Sequence, residues 1–176
     1  MNFMTSPGEL LNPNRSSPTT PAEPSLLVKL FASALFTGYS PVASGTFGSL
    51  VGLALYFIPG FEQPSLISPA CILVFAAGIK ASKTMERRYG HDPAEVTIDE
   101  VVGMWISLLL LPKSLVVAGT GFFIFRILDI VKPFPAKKFD SRQGGLGIMM
   151  DDVIAAVYTN VILHFIFSLP LFKQFL

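Results

Sequence analysis

The residues able to do chemistry sit in three short stretches of an otherwise apolar chain: Asp99-Glu100, Arg126 with Asp129 and Lys132, and Asp151-Asp152. Carboxylates gathered in one place repel each other, and a divalent cation relieves that repulsion. An all-oxygen, hard donor set favours Mg²⁺ over zinc or copper. Such an ion neutralises charge on a phosphate and promotes attack by water or by one of the carboxylates as nucleophile, so the chemistry indicated is phosphoryl transfer. Asp99, Glu100, Asp129, Asp151 and Asp152 are the candidate metal ligands, and Asp99, Glu100, Asp129 and Asp152 the candidate catalytic groups. Arg126 and Asp129 are three apart and share a helix face. Read as chemistry, Asp129 holds a guanidinium aimed at a phosphate, with Lys132 beside it; read structurally, they form a plain intrahelical ion pair. Taken singly, Asp99 or Asp151 could instead be an acid favoured at a helix N-terminus, a reading that does not account for the set.

The remaining signals are weaker. Gly45-Thr46-Phe47-Gly48-Ser49 and Gly144-Gly145-Leu146-Gly147 each precede a helix, where backbone N–H groups can bind a phosphate oxygen. Thr46 and Ser49 are candidate substrate-binding residues on that basis. Neither segment is a nucleotide loop, because the first lacks a following Gly-Lys-Ser/Thr and the second lacks dinucleotide spacing. His91 could donate a proton to a leaving oxygen, but a loop-ordering role is favoured for it. His164 and Trp105 read as packing residues. Several phosphatase chemistries are excluded: the sixth residue after Cys71 is Ala77 rather than Arg, no Asp-x-Asp pair exists, and neither histidine lies in a Ser-Gly-His or Arg-His-Gly segment. A lone cysteine also excludes an internal disulfide and a thiolate zinc site.

These groups need elements that converge. The chain has 176 residues, 51% hydrophobic and only 14% charged, with a mean hydropathy of +0.58. Soluble domains carry roughly 25% charged residues, so lipid is expected to replace water around much of the surface. The net charge of +1 points to no particular partner. Residues 1–25, rich in proline and serine, predict a disordered tail, and 26–176 a single helical domain. Apolar patterning predicts helices over 48–60, 65–82, 95–112, 115–132 and 148–172, while 26–36 could cross, lie at the interface or pack as a half-helix. The expected fold is all-α, a small multi-spanning membrane bundle. Short turns at 59–64 and 112–114 fall on one side, and longer polar connections at 37–47, 82–97 and 132–147 on the other. All of the 13 basic residues except Lys113 and Lys173 fall with the long connections or the tail, a bias that places those loops in the cytoplasm. Lys137, Lys138 and Arg142 form a basic interfacial loop suited to anchoring on anionic lipid or to headgroup contact. With alternating helix direction, the start of 95–112, the end of 115–132 and the start of 148–172 bring all the candidate acids to one membrane edge, where ionisable groups usually line a site.

Four ordered stretches carry a family resemblance: Gly38-Tyr39-Ser40-Pro41 with Gly45-Thr46-Phe47-Gly48-Ser49-Leu50; His91-Asp92-Pro93 through Ile98-Asp99-Glu100-Val101-Val102-Gly103; Phe125-Arg126-Ile127-Leu128-Asp129-Ile130-Val131-Lys132-Pro133-Phe134-Pro135; and Gly145-Leu146-Gly147-Ile148-Met149-Met150-Asp151-Asp152. Over roughly residues 27–165 the chain resembles the phosphatidylglycerophosphatase A family. The resemblance implies hydrolysis of phosphatidylglycerophosphate to phosphatidylglycerol and phosphate, with Mg²⁺, at the bacterial cytoplasmic membrane. It implies a phospholipid substrate, a membrane setting with the site facing the cytoplasm, and no nucleic-acid partner. Two other classes stand against it. A small ion or proton transporter requires acids at mid-helix depth and inverted repeats, neither of which the sequence has. A non-catalytic membrane scaffold would not need the intact motif set.

Overall fold

The computed structural model describes residues 21–170, and every regular element in that stretch is helical. The elements are α1 (Leu26–Ala32), α2 (Ser44–Tyr56), α3 (Pro64–Tyr89), α4 (Ile98–Ser107), α5 (Leu115–Val131), α6 (Ala136–Asp140) and α7 (Gly145–Ser168), with a 3-10 turn at Thr37–Tyr39. Most of the predicted tail lies outside the described residues. At its described end, Glu23 bonds both Lys29 of α1 and Arg88 of α3, and the Ser25 side chain caps α1.

The core is built around α4 and α7. α4 packs on α2, α3, α5 and α7, and α7 also packs on α3, α5 and α6. Of the ten residues of α4 only Ile106 is not buried. A helix apolar all round is a buried one, and here the burial is inside protein. This corrects the reading of 95–112 as a span, because ten residues rise only about 15 Å against a hydrocarbon core of about 30 Å. The helix begins after Thr97, whose N–H bonds the Ala32 carbonyl, and stops before Leu110, in left-handed conformation, and Pro112.

Other boundaries shift for local reasons. α1 gives way after about two turns to three consecutive left-handed residues, Ala34, Leu35 and Phe36, so 26–36 packs as a short helix and does not cross in helical form. α3 runs on to Tyr89 because Lys83, Met85, Glu86, Arg87 and Arg88 are good helix formers, with Met85 fully buried. Its last turn carries Arg87 and Arg88, favourable at a helix C-terminus. Among the described residues, two helices are long and apolar enough to cross a membrane, α3 and α7. The exterior agrees with membrane association: Ile72 and Leu73 on α3, Phe123, Ile127 and Ile130 on α5, and Val161 and Phe165 on α7 are exposed apolar side chains.

Candidate active site

The alternation inferred from the sequence brings the acids together. A cavity of ≈ 340 Å³ is lined by Ser44 and Gly45 at the start of α2, Asp99 and Glu100 at the start of α4, Arg126, Asp129 and Ile130 near the end of α5, Lys132 just beyond it, Asp151 and Asp152 on α7, and the loop residues Asp92, Pro93, Ala94 and Val96. Four elements distant in sequence therefore meet at one polar chamber.

Within it the charges are tightly engaged. The Arg126 Nη1 donates to Glu100 Oε1 and to Asp129 Oδ2, the latter at 3.0 Å. The second Glu100 oxygen accepts the Ser49 hydroxyl at 2.7 Å. α2 approaches so closely that a side chain at Gly45 would collide with the Glu100 carboxylate and the Arg126 guanidinium. Lys132, left-handed at the end of α5, donates to Asp151 Oδ2 at 2.6 Å and to Asp140 Oδ1 at 2.5 Å. Asp99 Oδ1 accepts the N–H of Glu100 at 3.0 Å.

One oxygen from each of Glu100, Asp129 and Asp152 lies within 4.8 Å of the others. Asp152 is 3% exposed, and its Oδ2 is buried with no hydrogen-bond partner, as are Asp151 Oδ1 and Arg126 Nε. Orphaned buried charge of this kind is costly unless a ligand satisfies it. Clustered carboxylate oxygens with an unsatisfied member fit a divalent cation that takes oxygen ligands. The geometry also divides the candidate ligands: Glu100, Asp129 and Asp152 form the cluster, while Asp99 lines the same cavity outside it and Asp151 is tied to Lys132.

The sequence-predicted substrate residues divide similarly. Arg126 lines the cavity with an unpaired Nε. Lys132 lines it too, braced between two carboxylates. Ser49 lies fully buried under Glu100, and Thr46 is not among the lining residues. Gly45, part of the first glycine segment, does line the cavity, whereas Ser44, Asp92 and Asp140 were not singled out by sequence reasoning. α2 starts at Ser44 rather than near 48, which moves its N-terminus to the cavity, and Asp92 lay within the quoted His91-Asp92-Pro93 stretch.

In the second glycine segment the N–H groups of Gly144 and Gly147 are already engaged within the protein. Gly144 N–H donates to both oxygens of Glu86, at 2.8 and 3.1 Å. A side chain at Gly145 would strike the Ile79 carbonyl, so this segment serves close α3–α7 packing. His91 orders its loop: Nδ1 pairs with Glu86 at 3.0 Å and Nε2 with the Asp140 carbonyl at 3.1 Å. The Glu86 carboxylate raises the His91 pKa above its ordinary value. His164 bonds the Asn160 carbonyl of its own helix, and the Trp105 indole N–H donates to the Gly52 carbonyl.

The fold and site thus define an all-helical protein whose converging helix ends hold an acid-rich chamber with an arginine and a lysine at its wall. The chain belongs to the phosphatidylglycerophosphatase A family, whose sequence model matches residues 30–167, and with that family it is a phosphoric monoester hydrolase. It is 38% identical over 140 residues to phosphatidylglycerophosphatase A of Escherichia coli, covering 78% of this chain and 81% of that one. It is 35% identical over 143 residues to phosphatidylglycerophosphatase A of Haemophilus influenzae, covering 77% and 85%. It is also 40% identical over 150 residues to a Bacteroides thetaiotaomicron protein provisionally named phosphatidylinositol-3-phosphatase, covering 80% and 93%. No solved structure matches the chain.

Proposed function

We propose that this protein hydrolyses phosphatidylglycerophosphate to phosphatidylglycerol and inorganic phosphate, with Mg²⁺, at the cytoplasmic face of a bacterial membrane. The observation that carries the reading is the Glu100, Asp129 and Asp152 cluster beside Arg126 in a single cavity. Glu100, Asp129 and Asp152 would hold the cation, with Asp99 and Asp151 at its margin. When bound, Mg²⁺ neutralises negative charge on the phosphoryl group.

The chain's own groups do the rest. Arg126, fixed by Glu100 and Asp129, presents its Nε edge to a phosphate oxygen. The uncapped N-terminus of α2 at Ser44 and Gly45 offers backbone N–H groups to a second oxygen. Lys132 contributes positive charge at the wall. Water attacks phosphorus in line with the leaving glycerol oxygen, and Asp99, beside the cation cluster but outside it, takes the water's proton. The acyl chains stay in the bilayer, in keeping with the exposed apolar faces of α3, α5 and α7.

A phosphoinositide reading is favoured by one observation, the name of the Bacteroides relative, and it uses the same phosphomonoester chemistry. The test is phosphate release by the purified full chain in vesicles, comparing phosphatidylglycerophosphate, phosphatidylinositol 3-phosphate and phosphatidate. The expected result is the highest kcat/KM on phosphatidylglycerophosphate, abolished by chelation and restored by Mg²⁺. A preference for the phosphoinositide would move the substrate assignment, and release that persists after chelation would overturn the metal-assisted site.

A further inference from the structure

We propose that Asp92 is the general acid that protonates the leaving glycerol oxygen, a role that rests on the phosphatase reading above. Breaking a phosphate ester of an aliphatic alcohol expels a strongly basic alkoxide, so a positioned proton donor is worth about 10²–10⁴-fold. The clustered carboxylates are poor donors while they hold a cation, and Arg126 and Lys132 hold their protons too tightly. His91, the histidine beside the site, has both ring nitrogens engaged, by Glu86 and by the Asp140 carbonyl.

Asp92 is placed differently. It lines the cavity from an exposed position at the rim, where a leaving alcohol can depart and a proton can return from solvent. Its backbone is held left-handed at φ 46°, an uncommon conformation for a residue with a side chain. The bridge made by His91 immediately before it and Pro93 immediately after it fix that loop. Unlike Asp99, Glu100, Asp129 and Asp151, its carboxyl makes no hydrogen bond or ion pair among the described residues. Although the residue opens to solvent, the protein packed around its carboxyl pushes its pKa above the ordinary value. Of the charges facing it, Asp140 pushes in the same direction, Asp99, Asp129 and Asp151 do so only where no cation offsets them, and Lys132 and His91 pull back.

In the step, the bond from phosphorus to the glycerol oxygen breaks with its electron pair on that oxygen, which takes the Asp92 proton. The bond from water oxygen to phosphorus forms, and the water's proton passes to Asp99. Asp99 then releases its proton to solvent, and Asp92 is reprotonated from it. Because the acid must start protonated, activity is present below its pKa and falls as pH rises through it.

The experiment compares wild type, Asp92→Asn and Asp152→Asn on phosphatidylglycerophosphate and on para-nitrophenyl phosphate, whose leaving group needs no proton. Asparagine tolerates the left-handed backbone, so the loop is retained. The expected result for Asp92→Asn is a kcat on the lipid lowered about a hundredfold, aryl phosphate hydrolysis close to wild type, an unchanged half-saturating Mg²⁺ concentration, and loss of the alkaline limb of the pH profile. Equal losses on both substrates, a wild-type rate on the lipid, a raised Mg²⁺ requirement, or a retained alkaline limb would each overturn the assignment. If the wild type does not turn over the aryl ester, the alkaline limb decides alone. Phosphate release lost in Asp152→Asn but intact in Asp92→Asn sinks this proposal and leaves the site reading standing. A wild type inactive on every lipid phosphomonoester sinks both.

Discussion

The two ends of the bundle are wired in opposite ways. At the end holding the short turns, Lys113 donates to Glu62 at 2.8 Å and to the Ile58 carbonyl at 2.9 Å. The Asn160 amide closes the end of α4 by donating to the carbonyls of Ser107 and Leu109, at 3.1 and 2.9 Å. The charged groups there are paired and tie one helix end to another, and the buried atom left without a partner, the Tyr56 hydroxyl, is a neutral one. At the cavity end, the cations lining the chamber against Asp92, Asp99, Glu100, Asp129, Asp151 and Asp152 are Arg126 and Lys132, and Asp151, Asp152 and Arg126 each keep a buried atom unsatisfied. A protein interior normally avoids that imbalance. The contrast teaches that one end is arranged to hold the helices together and the other to hold a ligand. Substitutions at the two ends should therefore separate stability from activity.

The largest effect is expected at Asp152. Replacing it with Asn should lower kcat by more than about a hundredfold with no fall in Tm, since it removes a buried charge whose Oδ2 has no hydrogen-bond partner. Kinetics and thermal melts of the same detergent preparation read both, and a large drop in Tm with proportionate loss of activity would erase the contrast. Next is Arg126→Lys, which keeps the charge but loses the planar fork held by Glu100 and Asp129. A lost charge-assisted hydrogen bond is worth about 2 kcal/mol, so kcat/KM should fall roughly thirtyfold.

Gly145→Ala tests the packing role of the second glycine segment. The added methyl meets the Ile79 carbonyl, and overpacking of this kind costs about 1–3 kcal/mol. Tm should fall, while Gly119→Ala, with open space at that position, should not lower it. The smallest effect belongs to the far end. Lys113→Ala breaks a partly exposed ion pair and should cost less than about 1 kcal/mol, with kcat unchanged. A loss of activity there would show that the ends are coupled.

Much of this was legible in the residues. The acids were findable because charge is conspicuous against apolar helices, and helix alternation brought 99–100, 129 and 151–152 to one chamber. α5 was read almost to its boundaries, because Ser114 and Lys132-Pro133 punctuate it. The reading of 95–112 failed for a physical reason: apolar patterning does not distinguish a helix wrapped in lipid from one wrapped in protein, and α4 is the latter. The continuation of α3 past 82 was hidden because charged residues on a helix beyond an apolar run look like a loop. The two glycine segments looked alike in sequence. Only packing shows that α2 opens on the cavity while the N–H of Gly144 is consumed by Glu86. Asp92 was hidden for a similar reason, since its importance lies in the fold of its loop around His91.

The most direct test of the shared-cation claim is Mn²⁺ binding followed by electron paramagnetic resonance, with Mn²⁺ standing in for Mg²⁺ in the purified full-length protein. The account predicts saturable binding to the wild type, competed by Mg²⁺, and sharply weakened by Glu100→Gln, Asp129→Asn or Asp152→Asn alone, because each removes one wall of the same cluster. Binding that survives all three single substitutions unchanged would contradict it.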